Sequence, residues 1–122
     1  MKIIFDTNFL LSCIKQKIDF LQELEGFELV LPRQVIDEIE KLIKDKRKKL
    51  SERELARTTL AFINKFKSRF KIIELEKNYV DLGLKKLQGY VIATLDKGIR
   101  KDLKGEAKFL IISKRKKLEF VN

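Results

Sequence analysis

Short apolar runs alternating with helix-patterned stretches constrain this chain more than any other feature. Residues 2–5, 28–31, 71–75, 90–94 and 109–112 are rich in isoleucine, leucine, valine and phenylalanine, as buried strands are. The first run stops at Asp6-Thr7-Asn8, residue types that start helices, and helices are predicted over 9–16 and 19–24. Pro32 opens a longer helix, because a proline loses nothing in a first turn whose N–H groups have no partner. Val35, Ile39, Leu42 and Ile43 form the apolar stripe of that helix. Further helices are predicted over 52–70, 78–87 and 96–104, with a last short strand over 117–121. Such alternation predicts a three-layer α/β/α fold around a central, mainly parallel sheet. Sheets of this type bind ligands beyond the carboxyl ends of their strands.

With 122 residues, 44% of them hydrophobic, the chain can build one core and little more. Nothing resembling a linker or repeat interrupts it, so residues 1–122 are expected to form a single domain. The apolar runs fall far short of the ~20 residues of a membrane helix. Asp6 interrupts the stretch that a signal peptide would continue, so a cytoplasmic protein without a membrane partner is expected. A single cysteine, Cys13, excludes an intrachain disulfide, and its apolar helical setting predicts a small buried side chain. The absence of histidine rules out Ser-His and Cys-His nucleophiles and histidine-dependent zinc sites. An enzyme built from this chain must work with carboxylates, hydroxyls and lysines. The formal charge of +10 points to a polyanionic partner, nucleic acid first and an anionic membrane surface second; solubility is the competing account.

Among 18 acidic residues, position selects a few. Asp6 and Asp96 each follow a predicted strand, which places both at one carboxyl edge of a parallel sheet; each could equally be a helix N-cap. Glu38 lies three residues after Val35 and four before Leu42, so it borders the apolar stripe, where a charge is uncommon without a partner. A lysine salt bridge is its competing role. Asp37 and Glu40 point further toward water. Asp81 is the sole acid inside its predicted helix, beside Val80, Leu84 and Leu87, and could be a solvated surface acid. Carboxylates meeting at one edge repel one another, and a divalent cation offsets this. Oxygen-only ligands favour Mg²⁺ or Mn²⁺, ions that activate water and stabilise charge on a phosphodiester. Basic side chains around the site would hold a nucleic-acid backbone.

Three segments, in order, carry a family resemblance: Asp6-Thr7-Asn8, Val35-Ile36-Asp37-Glu38-Ile39-Glu40-Lys41-Leu42, and Val91-Ile92-Ala93-Thr94-Leu95-Asp96-Lys97. They resemble the acid-bearing motifs of PIN-domain nucleases, over essentially the whole chain. The nearest flavour is the archaeal branch similar to PIN enzymes that process small-subunit ribosomal RNA, with VapC-type toxins next. The resemblance implies a metal-dependent endoribonuclease in which Asp6, Glu38, Asp81 and Asp96 are catalytic and ligate Mg²⁺ or Mn²⁺. It implies supporting hydrogen bonds from Asn8 and Thr94. Lys46, Arg47, Lys97, Arg100, Lys101 and Arg115 are the expected phosphate contacts. RNA is the expected substrate and a homodimer the expected assembly, with an antitoxin partner under the toxin alternative alone. The stretch from Asp81 to Asp96 is shorter than the family pattern by about one helical turn. That departure keeps a non-catalytic RNA-binding or ribosome-assembly module on a degraded PIN scaffold as a further alternative.

Overall fold

Successive side chains of a strand leave opposite faces of a sheet, and here both faces are buried. The computed structural model describes residues 1–75, 89–105 and 107–122. Strands β1 (Lys2–Phe5), β2 (Glu28–Pro32), β3 (Phe70–Ile73), β4 (Tyr90–Ala93), β5 (Lys108–Ile112) and β6 (Leu118–Val121) form one sheet in the order β3-β2-β1-β4-β5-β6. β1 to β5 pair in parallel, and β6 returns antiparallel to β5. The helices are α1 (Thr7–Lys15), α2 (Phe20–Glu23), α3 (Arg33–Lys44), α4 (Leu50–Lys65) and α5 (Lys97–Asp102). This is the predicted α/β/α architecture. Among the described residues, no helix is long and apolar enough to cross a membrane.

Ile3 and Phe5 of β1, Leu29 and Leu31 of β2, and Val91 and Ala93 of β4 join a buried cluster with α1, α3 and α4, through residues such as Phe9, Ile39 and Ile63. Ile4, Val30, Ile92 and Phe109 face the other way, against Leu103 and the partly buried Ile99 of α5. Phe5 is fully buried, with its ring 5.9 Å from Phe9, 5.6 Å from Phe20 and 6.2 Å from Phe70. The residue just before Asp6 is therefore held by contacts on three other elements.

Among the boundaries that differ from the sequence expectation, two have a clear physical origin. The helix predicted over 52–70 ends at Lys65, a 3-10 turn covers Lys67–Arg69, and Phe70 already belongs to β3. Phe62, Phe66 and Phe70 are spaced four apart and continue the helical stripe on paper. Packing of Phe70 against Phe5 and Phe20 instead draws it into the sheet. Pro32, expected in the first turn of α3, is its N-cap and the last residue of β2. The helix expected over 78–87, and Asp81 with it, lies outside the described residues.

The β2–β3 ladder ends at the pair Pro32–Ile73, yet it has a side-chain extension. The Gln34 amide donates to the Leu75 carbonyl and accepts from the Leu75 N–H. A backbone pair that loses its strand partner when β2 turns into α3 is satisfied this way, as buried peptide groups must be.

Candidate active site

The strand order reverses direction at β1. The chain steps outward from β1 to β2 to β3, then crosses back to β4 on the other side of β1. In an open parallel sheet, the carboxyl ends of the strands at such a switch point splay their loops apart and form a crevice. Asp6 follows β1 and Thr94-Leu95-Asp96 follows β4, so both acids stand at this crevice.

Local hydrogen bonds fix them there. The Asp6 N–H donates to the Ala93 carbonyl at 2.9 Å, one step beyond the β1–β4 ladder. Thr94 is fully buried; its hydroxyl donates to Asp6 Oδ2 at 2.9 Å and accepts from the Asp96 N–H at 3.1 Å. One threonine thus links two acids. Asp6 Oδ1 accepts from the Thr7 N–H at 2.8 Å. Asp96 Oδ1 accepts from the N–H groups of Gly98, at 2.8 Å, and Ile99, at 3.3 Å. Gly98 permits this close approach, since a β-carbon there would lie 3.0 Å from the same oxygen. Both aspartates are therefore helix N-caps as well as edge acids, and the two roles that compete in the sequence coexist in the fold.

Glu38 joins from α3. Its Oε2 accepts from the Thr7 hydroxyl at 2.6 Å; the partner is a threonine rather than the lysine that the competing reading supplied. Thr7 is buried, with 4% exposure, whereas Glu38 and Asp96 are exposed and Asp6 is half-buried. A continuous chain of hydrogen bonds thereby runs Asp96–Thr94–Asp6–Thr7–Glu38 across three elements. Among the described residues, no three acids or thiols gather closely enough to hold a metal ion by themselves. Cys13 takes no part, being fully buried with a thiol that burial, and then the Glu23 charge, push up to about 12.

The sequence missed Thr7, which follows an acid and reads simply as part of a cap. Asn8, expected to support the acids, is exposed and makes no hydrogen bond to them among the described residues; it points outward one position further along α1. It does line a hollow of about 270 Å³ with Thr7, Glu38, Lys41, Leu42 and Asp45. Lys46 and Arg47 follow that hollow directly and are exposed. The Arg47 guanidinium is turned to Asp45, with Nε 3.0 Å from its carboxylate, and this pairing holds the Asp45 carboxyl below its ordinary value. Lys97 and Lys101 are exposed and Arg100 half-buried on α5, while Arg115 is exposed in the β5–β6 turn. A hollow of about 520 Å³ beside Met1, Tyr90 and Lys108 is at the amino-terminal edge of the strands and includes none of these acids.

A sequence profile of the PIN domain matches residues 3–112. The chain belongs to the PIN-domain family. A curated relative, ribonuclease VapC4 of Methanocaldococcus jannaschii, is 32% identical over 111 residues, spanning 84% of this chain and 82% of that protein. The matched range runs from within β1 to the end of β5 and so contains positions 6, 38 and 96.

Proposed function

We propose that this PIN domain is a metal-dependent endoribonuclease whose acids are Asp6, Glu38 and Asp96, with Asp81 as a further candidate on sequence grounds. The observation that carries this reading is the hydrogen-bond chain tying Asp6 to Asp96 and Glu38 at the switch point of the sheet. The family match and the ribonuclease relative support it.

The donor set fits a hard divalent cation, since every available donor is oxygen. Among the described residues, Asp96 Oδ2 and Glu38 Oε1 accept no hydrogen bond, while Asp6 keeps its second lone pairs. Asp6, Glu38 and Asp96 would hold Mg²⁺ or Mn²⁺. When bound, such an ion stabilises charge that builds on a phosphodiester and acidifies water. The protein's own part is to hold the acids: Thr94 donates to the Asp6 carboxylate and accepts from the Asp96 backbone, the Gly98 and Ile99 N–H groups orient the Asp96 carboxylate, and the fully buried Phe5 anchors the backbone at Asp6. Lys41 at the hollow, Lys46 beside it, Lys97, Arg100 and Lys101 on α5, and Arg115 supply positive charge for the RNA backbone.

Within this class, the VapC relative favours a toxin-type ribonuclease over an enzyme of ribosomal-RNA processing, and a toxin would bring an antitoxin partner. The test is incubation of the purified protein with unstructured RNA in Mg²⁺ or Mn²⁺, with and without a chelator. Cleavage that the chelator stops is the expected result. Undiminished cleavage in excess chelator would overturn the metal reading, and RNA binding without any cleavage would leave the non-catalytic module standing.

A further inference from the structure

We infer that Thr7 is a positioning residue that fixes the Glu38 carboxylate relative to Asp6, so that one acid of the proposed metal site is oriented by the protein rather than left free to rotate. The inference rests on the nuclease reading above and deepens it.

Glu38 is on the exposed side of α3, on a different element from the two aspartates. A glutamate there has three side-chain torsions to fix, and ordering such a side chain costs rotamer entropy. Among the described residues, the Thr7 hydroxyl is its sole hydrogen-bonding partner, and no lysine or arginine pairs with it. The bond is 2.6 Å long, in the range of a hydroxyl donating to an ionised carboxylate, which is stronger than a neutral pair. Thr7 cannot wander: it has 4% exposure, it begins α1, and its N–H is committed to Asp6 Oδ1 at 2.8 Å. One buried residue thus holds Asp6 by its backbone and Glu38 by its side chain. Thr94 does the converse on the other side of Asp6, with its hydroxyl on Asp6 and its oxygen accepting from the Asp96 backbone. Hydroxyls that orient metal-binding carboxylates in this manner tune affinity without touching the ion.

Thr7→Val keeps the branched shape and removes the donor, whereas Thr7→Ser keeps the donor and removes a methyl group. The first readout is Mn²⁺ binding by calorimetry, with the metal alone and no RNA. Thr7→Val should weaken Mn²⁺ binding about 10- to 100-fold, the usual effect of losing a group that orients a ligand, and Thr7→Ser should bind like the parent. The second readout is metal-free melting of Thr7→Val in the parent and in a Glu38→Ala background. A real bond makes the melting penalty of Thr7→Val smaller once Glu38 is gone, because contacting residues are not additive. Equal Mn²⁺ affinity for Thr7→Val and Thr7→Ser, or equal melting penalties in both backgrounds, overturns the positioning role and leaves the nuclease reading intact. A parent that binds no Mn²⁺ overturns the nuclease reading and this inference with it.

Discussion

Replacing Asp6 by asparagine separates a helix cap from a working acid. The substitution keeps shape and one acceptor oxygen but removes the charge. That oxygen can still accept from the Thr7 N–H, which bonds Asp6 at 2.8 Å, but the amide nitrogen cannot accept the Thr94 hydroxyl proton donated at 2.9 Å. Thr94 is fully buried, so its hydroxyl must reorient or lose its acceptor. Loss of one such bond costs about 1 kcal/mol, and up to about 3 kcal/mol if the donor is left orphaned. Each kcal/mol lowers the melting temperature of a domain of this size by roughly 3–6 °C. A bare cluster of like charges would instead predict stabilisation on removing one; the hydrogen bonds reverse that sign. RNA cleavage should meanwhile fall roughly 100-fold or more, because a lost ligand should cost at least as much as a lost ligand-orienting group. The assay is a metal-free melting curve together with cleavage under saturating Mn²⁺. An Asp6→Asn protein that melts lower yet cuts at the parental rate would refute the reasoning and leave Asp6 as a cap.

Gln34→Ala should strip the Leu75 peptide of both hydrogen bonds, cost about 1–3 kcal/mol and speed amide exchange at Leu75; unchanged exchange there contradicts the ladder extension. The Cys13 thiol, raised from 9.0 to about 12 by burial and then by Glu23, stays protonated in the folded state while the unfolded thiol ionises. Its contribution is thus fully present below pH 9 and lost as the pH rises toward 12, so Cys13→Ala should flatten the alkaline fall in stability, and identical slopes would contradict the assignment. If Lys101, exposed on α5, meets a phosphate of single-stranded RNA, Lys101→Ala should lower the slope of log K against log salt by roughly 0.7; an unchanged slope removes it from the interface.

Much of the fold is legible because the strands are short, apolar and separated by helices with clear stripes. The boundary errors arise where local pattern and tertiary contact disagree. Phe62, Phe66 and Phe70 keep helical spacing without a glycine or proline to stop it, and the pull of Phe5 and Phe20 on Phe70 is absent from the local sequence. Asp6 and Asp96 could be picked out because each closes an apolar run. That they share an edge follows from parallel pairing, but that they flank a switch point depends on strand order, which no local pattern encodes. Thr7 stayed hidden because its bond to Glu38 spans 31 positions, and a threonine after an aspartate looks like an ordinary helix start. Asn8 attracted attention for its polarity; it lines the hollow beside Glu38 but hydrogen-bonds to none of the acids among the described residues.

The most direct test of the central claim is anomalous diffraction from a crystal of the protein soaked in Mn²⁺. The account predicts an anomalous peak at the carboxyl edge of the sheet, within coordination distance of Asp6 and Asp96 and facing Glu38. Saturating Mn²⁺ that leaves no peak at these acids would contradict it.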